Sequence, residues 1–285
     1  MTIVKFLGGL GNQLFQYAFY LALQRAFGNV KADLGGYESY TLHQGFELGR
    51  VFGISLREIS EFERKLYLPE DRRWLWRKLR QICGTKYSYM EEKQLFYFDE
   101  SIFSKAAKRY YWGYWQHADY IRLVEDELRR KLIFPPFDDD QNEKLVGWME
   151  GRNTVSVHVR RGDYIGDPLL GGICDVVYYK RAIDYIGHAV ENPVFIFFSN
   201  DVAWCKQTFA PYSDVFVGWN DAYNSFRDMQ LMAHCKHHII ANSSFSWWGA
   251  WFNTSPSKIV VSPSKWVNGP SAPTDGIILP SFVAL

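Results

Sequence analysis

The amino-acid sequence predicts an α/β protein built from two domains, the second with a mostly parallel sheet and helices on both of its faces. In the second half, short apolar runs typical of buried strands alternate regularly with amphipathic segments of helical length. The first half opens in the same way, with an apolar run at 2–7, a glycine-rich loop at 8–12 and an apolar segment at 13–27. Two prolines followed by three aspartates, within 134–142, form the best linker candidate. We therefore predict domains at 1–140 and 141–285.

Composition and charge exclude several function classes. The 285 residues carry a formal net charge of +1, so bulk charge gives no reason to expect a nucleic-acid partner, and any anion site must be local. The first residues lack the basic start and cleavage pattern of a signal peptide, and no apolar run reaches the length of a membrane span. The four cysteines contain no C-x-x-C spacing, so neither a zinc site nor a redox pair is indicated. We expect a cytoplasmic protein with reduced thiols.

The loop GGLGNQ at 8–13 is the first candidate site. It joins a predicted strand to a predicted helix, and Gly9 and Gly11 match two positions of a dinucleotide-binding fingerprint. Leu14 stands where that fingerprint has its third glycine, and Asp33 lies roughly where it has an acid for the ribose. An NAD-dependent oxidoreductase therefore stays open as an alternative function.

Two helices of the first half bear on packing and partners. The segment at 13–27 is apolar almost all round, which predicts a buried helix with Asn12 as its N-cap. Residues 71–82, DRRWLWRKLRQI, are basic, and we favour a solvated helix packed by its tryptophans over a helix on a membrane surface. Four apolar residues of this segment lie roughly on one helical face: Trp74, Leu75, Leu79 and Ile82.

The stretch VSVHVRRGDY at 155–164 ends an apolar strand with two arginines. Alternation puts the valines on one face and Ser156, His158 and Arg160 on the other. In open α/β sheets ligands bind beyond the carboxyl ends of strands, so Arg160 is placed to grip two oxygens of a phosphate. Asp163 is placed to pair with either arginine and to hold it. The alternative is a structural ion pair at the end of a strand.

A second phosphate candidate is ANSSFSWWGAW at 241–251, which joins a predicted strand to a predicted helix. The N–H groups at a helix start carry partial positive charge and bind phosphate readily, although a serine there is often an ordinary N-cap. Three hydroxyl groups surround this helix start, those of Ser243, Ser244 and Ser246.

Two further polar positions are candidates for ligand contacts. Ser199, in FSND, ends another predicted strand and either lines the same cleft or forms a simple turn. Asp228, in FRDMQLM, is either a base-reading carboxylate or an acid in the first turn of a helix. The aspartates at 138–140 follow a proline break, and His237 and His238 are adjacent and point apart, so we expect no metal site.

Taken together, these motifs resemble the bacterial α-1,2-fucosyltransferases, a glycosyltransferase family of GT-B fold that uses GDP-fucose. HVRRGDY and SSFSWWGAW together are specific to it, whereas GGLGNQ alone is not. The resemblance implies a GT-B fold, in which two Rossmann-like domains face a cleft, with an acceptor side at 1–140 and a nucleotide-sugar side at 141–285. It is carried, in the family's order, by GGLGNQLFQYA (8–18), GYWQ (113–116), HVRRGDY (158–164), DVVYYKRAI (175–183), FSND (198–201) and DMQLMAHCKHHIIANSSFSWWGAW (228–251).

The resemblance also implies the reaction: inverting transfer of L-fucose from GDP-β-L-fucose to the 2-hydroxyl of a terminal galactoside, without a metal or another cofactor. By position, Arg160 contacts the β-phosphate, Asp228 reads the guanine and Asn12 lies close to the reaction centre. The predicted catalytic residues are Arg160, Asn12 and Asp163. The predicted donor-binding residues are His158, Arg160, Ser199, Asp228, Ser243, Ser244, Phe245, Gly9 and Gly11.

Acceptor contacts are expected from the first half and from Asp175. Tyr114, Trp115 and Gln116 are the candidates there, although core packing is the more usual role of a residue such as Trp115. The base that removes the galactose proton is left open between Asp163 and Asp175, and the reaction does not demand a strong base.

The expected partners are GDP-fucose and a galactoside, with no nucleic acid. Residues 71–82 leave open a peripheral contact with the inner face of the membrane. The oligomeric state is open as well. A non-catalytic sugar-binding protein that keeps the aromatic residues is the second alternative function.

Overall fold

The computed structural model describes residues 1–37, 44–213, 215–269 and 273–285, and the chain divides into two compact units, Met1–Ile133 and Phe134–Leu285. Each unit contains one parallel β-sheet with helices packed against it. This confirms the α/β class and the pair of Rossmann-like units that a GT-B fold contains. Within the described residues, no helix is both long and apolar enough to cross a membrane.

The first unit has a four-stranded sheet in the order β2-β1-β4-β3. Because β1 pairs with both β2 and β4, the strand order reverses between β1 and β4. The strands are β1 (Thr2–Lys5), β2 (Val30–Asp33), β3 (Tyr89–Glu91) and β4 (Arg109–Trp112). The helices are α1 (Leu10–Phe27), α2 (Glu47–Phe52), α3 (Glu61–Tyr67), α4 (Trp74–Ile82), α5 (Ala118–Arg122) and α6 (Glu125–Lys131).

Helix α1 begins three residues before its predicted start. Gly9 is the N-cap, and Asn12 lies inside the first turn, so the prediction of Asn12 as N-cap is wrong. Gly8 adopts a φ of 77°, a left-handed conformation that favours glycine and that turns the chain sharply into the helix. The carboxylate of Glu47 accepts the Leu10 N–H at 3.0 Å, which satisfies a free donor of the first turn without a capping side chain.

Helix α4 confirms the predicted helix in 71–82 but not its preferred packing. Trp76 packs against Phe62, with ring centroids 5.4 Å apart. Trp74, in contrast, leaves 71% of its surface exposed. A helix packed by its tryptophans is therefore the wrong interpretation for Trp74, because only the opposite face of α4 meets the rest of the unit.

The second unit has a six-stranded sheet in the order β10-β9-β8-β5-β6-β7, with all neighbours parallel. The chain fills β5, β6 and β7 in one direction and then returns to place β8, β9 and β10 on the other side. The strands are β5 (Asn153–Val159), β6 (Pro193–Ser199), β7 (Val215–Val217), β8 (His237–Ile239), β9 (Val260–Ser262) and β10 (Val283–Ala284). The helices are α7 (Asp140–Met149), α8 (Val176–Ala189), α9 (Val202–Phe209), α10 (Phe226–His234) and α11 (Ser244–Phe252).

Both faces of this second sheet are buried. On one face the three valines of β5 pack with apolar residues of α8 and α9. On the other, Ile196 and Phe198 of β6 pack with residues of α7 and α10. Burial on both faces explains why β6 appears in the sequence as a continuous apolar run.

The predicted linker at 134–142 folds with the second unit. Arg227, which is buried in α10, donates to the carbonyl of Pro136 at 2.8 Å and pairs with Asp138 at 2.6 Å. The side chain of Gln230 donates to the carbonyl of Pro135 at 2.9 Å. The division therefore falls between residues 133 and 134, seven residues before the predicted boundary at 140.

Candidate functional site

The strand order of the second sheet marks where a ligand is expected to bind. The order reverses between β5 and β8, and open parallel sheets bind ligands beyond the carboxyl ends of the strands that flank such a reversal. Arg160 directly follows β5, and Ser243 follows β8 by a few residues. The two predicted phosphate-binding stretches therefore leave neighbouring strands at the same edge of the sheet.

Arg160 is held at this edge in the way the sequence predicted. Its Nη2 donates to Oδ2 of Asp163 at 2.9 Å, and its guanidinium carbon lies 5.6 Å from the centre of the Tyr164 ring. Its Nε is buried and has no hydrogen-bond partner among the described residues. Asp163 is thus engaged by Arg160, whose side chain stays 27% exposed at the edge of the sheet and whose Nε is left unsatisfied.

Tyr164 connects Arg160 to the start of α11. Its ring lies against the Arg160 guanidinium, its hydroxyl donates to the carbonyl of Asn242 at 3.2 Å, and it also hydrogen-bonds to the Ser243 side chain. Burial raises the pKa of Tyr164 to about 12, so the hydroxyl stays protonated and able to donate. This tyrosine ends the motif HVRRGDY, but nothing in the sequence indicates its role.

The start of α11 is a serine-capped turn of the kind that suits an anion. Ser243 is its N-cap, with Oγ accepting the Phe245 N–H at 3.3 Å, and Ser244 is the first residue of the helix. Ser246 turns its hydroxyl back to the carbonyl of Ser243 at 3.4 Å, so it serves the turn itself. The helix start and the Arg160 guanidinium together present positive charge at one place, which suits a phosphate.

His158 lies beneath this turn. Its ring packs against Phe245 with centroids 5.7 Å apart, and its Nδ1 is buried without a hydrogen-bond partner among the described residues. Burial, assisted by the nearby Arg160, lowers the pKa of His158 to about 3, so the imidazole is neutral. The structure therefore brings together His158, Arg160, Asp163, Ser243 and Phe245.

Two adjacent tyrosines of α8 fix the strands that carry this group. The hydroxyl of Tyr178 donates to the carbonyl of Ile240 at 2.6 Å, and that of Tyr179 donates to the carbonyl of His158 at 2.9 Å. Asn242 adds a third support, because its side-chain amide donates to the carbonyls of Leu170 and Trp266, each at 3.1 Å. None of these supports was identified from the sequence.

Ser199 and Asp175 lie in the same unit but serve local structure. The hydroxyl of Ser199 accepts the N–H of Asp201 at 2.9 Å in the turn after β6. Asp175 is the N-cap of α8, and its carboxylate accepts the Tyr178 N–H at 2.8 Å. Their predicted roles in donor and acceptor binding stay predictions without a contact to the Arg160 group.

Arg161, the neighbour of Arg160, is engaged in packing. Its guanidinium carbon lies 3.8 Å from the centre of the Trp204 ring, and its Nε pairs with Asp201 at 3.1 Å. Of the two arginines at the end of β5, Arg161 is therefore held by packing, and Arg160 is the candidate for a ligand contact.

Asp228 belongs to a second polar cluster of the same unit. Its carboxylate accepts from the side chain of Asn220 at 2.9 Å, and Asn220 in turn hydrogen-bonds with Asn142 at 2.8 Å. The indole N–H of Trp219 donates to Asn142, also at 2.8 Å. Burial raises the pKa of Asp228 to about 7. Because Trp219 and Asn220 follow β7, this cluster lies at the carboxyl edge too, two strands away from Arg160.

The first unit has its own reversal of strand order, and Asn12 lies there. The side chain of Gln116, which follows β4, donates to Oδ1 of Asn12 at 2.7 Å. A Cβ added to Gly8 would come within 2.5 Å of Asn12 Nδ2, so the glycine is needed for this close approach. Gly9 is the N-cap of α1 and Gly11 lies in its first turn, and their predicted donor contacts stay predictions.

Trp115 does not present a ring face to a sugar. It is 4% exposed and stacks on Phe19 with centroids 4.2 Å apart, so it packs in the core, the more usual role of such a residue. Its φ of 56° is a left-handed value that a bulky residue rarely adopts. Tyr114 and Gln116 on either side of it are only partly buried.

Glu92 holds the turn that contains Trp115. Its Oε2 accepts the backbone N–H groups of Tyr114 and Trp115 at 2.7 and 3.2 Å, and its Oε1 is buried without a partner among the described residues. Burial raises the pKa of Glu92 above its ordinary value. These bonds stabilise the strained turn and so direct Gln116 towards Asn12. Nothing in the sequence distinguishes Glu92 from the acids around it.

Glu92→Ala is expected to lower the free energy of unfolding by about 2–4 kcal/mol, because it leaves two backbone N–H groups without an acceptor. Glu92→Gln keeps an acceptor oxygen and should stay within about 1 kcal/mol of the wild type. Urea unfolding measures both, and Glu91→Ala, at the exposed neighbouring position, is the control. Equal stabilities of the alanine and glutamine variants would show that Glu92 does not hold the turn.

The loop at 8–13 lacks the features of a dinucleotide site. Asp33 is 1% exposed, pairs with Lys5 and Arg64, and accepts from the Tyr110 hydroxyl at 2.7 Å, so it does not face a ribose. At the start of α1 the Glu47 carboxylate occupies the Leu10 N–H, which disfavours a phosphate there. The geometry thus disfavours the oxidoreductase alternative.

The adjacent histidines of the second unit are structural. His238 hydrogen-bonds with Ser156 at 2.8 Å and with Asn253 at 2.9 Å, and the Nδ1 of His237 accepts the N–H of Ile259 at 3.1 Å. Burial lowers the pKa of His238 to about 3. Among the described residues, no three side chains of His, Cys, Asp or Glu come together as a metal-ligand set.

Known proteins are similar to this chain over most of its length. Residues 1–283 match the family described as Glycosyl transferase family 11. The chain is 34% identical over 281 residues to the Alpha-1,2-colitosyltransferase of Escherichia coli, covering 93% of this chain and 92% of that protein. It is 28% identical over 258 residues to Galactoside alpha-(1,2)-fucosyltransferase 1 of Homo sapiens, covering 86% of this chain and 63% of that protein. Among solved structures, ADP-heptose lps heptosyltransferase II of E. coli is similar, with a TM-score of 0.47, 13% identity and coverage of 100% of this chain and 89% of that chain.

Proposed function

The chain belongs to glycosyl transferase family 11, and from this premise we propose that it is an inverting, metal-independent α-1,2-fucosyltransferase. The proposed reaction moves L-fucose from GDP-β-L-fucose to the 2-hydroxyl of a terminal galactoside. The observation that carries the proposal is the meeting of Arg160 with the start of α11, through Tyr164, at the reversal of strand order in the second sheet.

The leaving group explains why this meeting matters. As the bond between C1 of the sugar and the phosphate oxygen breaks, negative charge builds on the β-phosphate of GDP. Fixed positive groups that face this charge lower the barrier, because they need no reorganisation during the reaction. We assign this role to Arg160 and to the N–H groups at the start of α11, with Ser243, Ser244 and Phe245 framing the diphosphate. His158 supports the turn as a neutral imidazole.

The position of Asp228 suits the base of the same nucleotide. The ends of β5 and β7 are two strand spacings apart, about 10 Å, which matches the reach from a diphosphate to its base. A carboxylate there accepts both from N1–H and from the 2-amino group of guanine, a pair of donors that adenine lacks. We therefore assign guanine recognition to Asp228, oriented by Asn220.

The acceptor side is assigned to the first unit. We place the galactoside contacts at Tyr114 and Gln116 and a role close to the reacting atoms at Asn12, which Gln116 positions. The base stays open, because Asp163 is paired with Arg160 and Asp175 caps α8. The α-1,2 linkage is supported by the names of the two relatives, which both specify it.

A second donor is a specific alternative. The relative from E. coli is named for colitose, which is L-fucose without its 3-hydroxyl, and it is 34% identical to this chain. A colitosyl donor keeps the guanine, the diphosphate and the anomeric configuration, so the same site suits both sugars. Only the contact with the 3-hydroxyl distinguishes them.

The test is a transfer assay with the full chain, GDP-fucose and lactose, with GDP-colitose as the competing donor. We expect fucosyllactose with a new α-1,2 linkage, identified by mass spectrometry and NMR, at a rate that stays within about twofold after treatment with EDTA. A preference for GDP-colitose would show that the transferred sugar is colitose and not fucose. Activity that disappears with EDTA and returns with Mn²⁺ would contradict the metal-independent mechanism.

A further inference from the structure

The outer face of α4 is apolar and exposed, which is unusual for a helix of a globular unit. Trp74, Leu75 and Ile82 leave 71%, 56% and 72% of their surfaces exposed. At 100° per residue these side chains lie within a sector of about 100°, so they share one face of the helix, the apolar stripe. Tyr87, a few residues after the end of the helix, is exposed as well, at 77%.

The inner face of α4 is anchored, so the helix cannot rotate to bury this stripe. Arg80 is buried and donates to the carbonyls of Lys65 and Leu68, at 3.0 and 2.9 Å, and to that of Asp71. Trp76 packs on Phe62 beside it. The exposure of the apolar stripe is therefore a built feature of the fold.

Cations lie within the stripe and beside it. Lys78 lies within it, with Nζ 5.0 Å from the centre of the Trp74 ring, and Lys86 lies over Tyr87 in the same way at 5.1 Å. Arg73 pairs with Asp71, whereas Arg72 and Arg77 form no salt bridge with a described carboxylate. We call this surface the α4 face; it consists of Arg72, Arg73, Trp74, Leu75, Arg77, Lys78 and Ile82.

The composition of the α4 face favours one occupant. A tryptophan and aliphatic side chains bordered by lysine and arginine suit the boundary between anionic headgroups and acyl chains. A second copy docked on the same face about a twofold axis would bring these cations against their own counterparts, which repel.

We propose that the α4 face binds the surface of a membrane that contains anionic phospholipid, with Trp74, Leu75 and Ile82 inserted at the headgroup boundary. Arg72, Arg77 and Lys78 contact the phosphate groups. The helix lies on the bilayer and does not cross it. This surface activity does not depend on the proposed reaction, since no residue of the α4 face belongs to the Arg160 group or to the Asn12–Gln116 pair.

The test is co-sedimentation of the full chain with two kinds of vesicle. One kind contains phosphatidylcholine alone, and the other contains one part phosphatidylglycerol to three parts phosphatidylcholine. We expect binding to the anionic vesicles that weakens in high salt and is at least tenfold weaker on phosphatidylcholine. Trp74→Ser with Leu75→Ser and Ile82→Ser should abolish it. Arg77→Gln with Lys78→Gln should lower the partition coefficient on the order of 30-fold, at about fivefold per cation.

The control variant removes three exposed apolar or aromatic side chains elsewhere: Ile133→Ser with Val177→Ser and Tyr185→Ser. It should bind vesicles like the wild type, and circular dichroism confirms that all variants are folded. If the serine variant of α4 proves unstable, the vesicle binding of the variant Arg77→Gln with Lys78→Gln alone tests the proposal. Wild-type protein that stays in the supernatant, or equal loss in the control variant, overturns the proposal.

A second readout locates the insertion. Brominated phospholipid should quench the fluorescence of the wild type more than that of Trp74→Phe, which keeps an apolar ring and should still bind. Equal quenching would show that Trp74 does not enter the bilayer. A dimer in analytical ultracentrifugation that the serine variant abolishes, without vesicle binding by the wild type, would assign the α4 face to a second copy and overturn the proposal.

Discussion

Arg160→Ala is expected to lower kcat for sugar transfer by about 10²- to 10³-fold, the usual loss when one preorganised donor to a developing oxyanion is removed. The buried Nε of Arg160 has no partner among the described residues, while Nη2 is fixed by Asp163. The guanidinium is therefore held ready for the β-phosphate, and alanine leaves only the N–H groups of α11. Arg160→Lys should recover part of the loss, because it restores the charge without the two-pronged geometry.

The adjacent arginine offers a matched control. Arg161 stacks on Trp204 and pairs with Asp201, so Arg161→Ala should lower the melting temperature while kcat stays within about fivefold of the wild type. Steady-state kinetics with GDP-fucose and lactose and calorimetric titration with GDP measure both variants. A kcat of Arg160→Ala within threefold of the wild type would remove Arg160 from the mechanism.

Asp228→Asn is expected to stabilise the protein above pH 7 by about 2 kcal/mol while it weakens donor binding. Burial raises the pKa of Asp228 from 3.8 to about 7, so the native chain disfavours the ionised form. A shift of this size corresponds to about 4 kcal/mol at 1.36 kcal/mol per unit, which we halve because the residue is only partly buried. The variant keeps the acceptor for Asn220 and removes the charge.

The sign of this effect depends on pH. Below about pH 4 the carboxyl group is protonated in both the native and the unfolded chain, so the variant and the wild type should be equally stable. Between pH 4 and 7 the native chain retains a proton that the unfolded chain has lost, and the advantage of asparagine grows with pH. Above pH 7 it is complete. Thermal unfolding at pH 4, 6 and 8 measures it, with Asp221→Asn, at an exposed neighbour, as the control.

The same variant tests the role of Asp228 in recognition. Without a carboxylate acceptor for the guanine edge, KM for GDP-fucose should rise about 10- to 100-fold, the cost of losing one charged two-point contact. A stable variant with an unchanged KM would exclude guanine recognition by Asp228. A variant with no gain in stability at pH 8 would show that the ionised carboxylate is not penalised in the native protein.

The parts of the fold and site that could be predicted from the sequence are those with local signals. Each strand and helix of the second half can be recognised from the hydrophobic pattern of its own segment. The pairing of Arg160 with Asp163 spans only three residues. The contacts that complete the sites span far more: 78 residues from Tyr164 to Asn242, and 104 from Asn12 to Gln116. No local pattern encodes which distant carbonyl or amide a side chain will meet.

Errors of boundary and packing have the same cause. The prolines at 135 and 136 look like a linker until Arg227, 91 residues after Pro136, donates to their carbonyls. Trp74 and Trp76 are equivalent by periodicity alone, because a hydrophobic pattern does not say how a short helix is rotated. That rotation is decided by Arg80 and the three carbonyl groups that it reaches.

The two tyrosines of α8 have a consequence for the thermodynamics of binding. Neighbours in one helix, they tie the carbonyls of Ile240 and His158, and so they set the gap between β8 and β5 before any nucleotide arrives. Because the binding site is preorganised, the protein loses little conformational entropy when the ligand binds. Most of the entropy lost on association is therefore that of the nucleotide sugar itself. The affinity for the donor should therefore depend more on the conformational flexibility of the nucleotide sugar than on changes in the loops around the site.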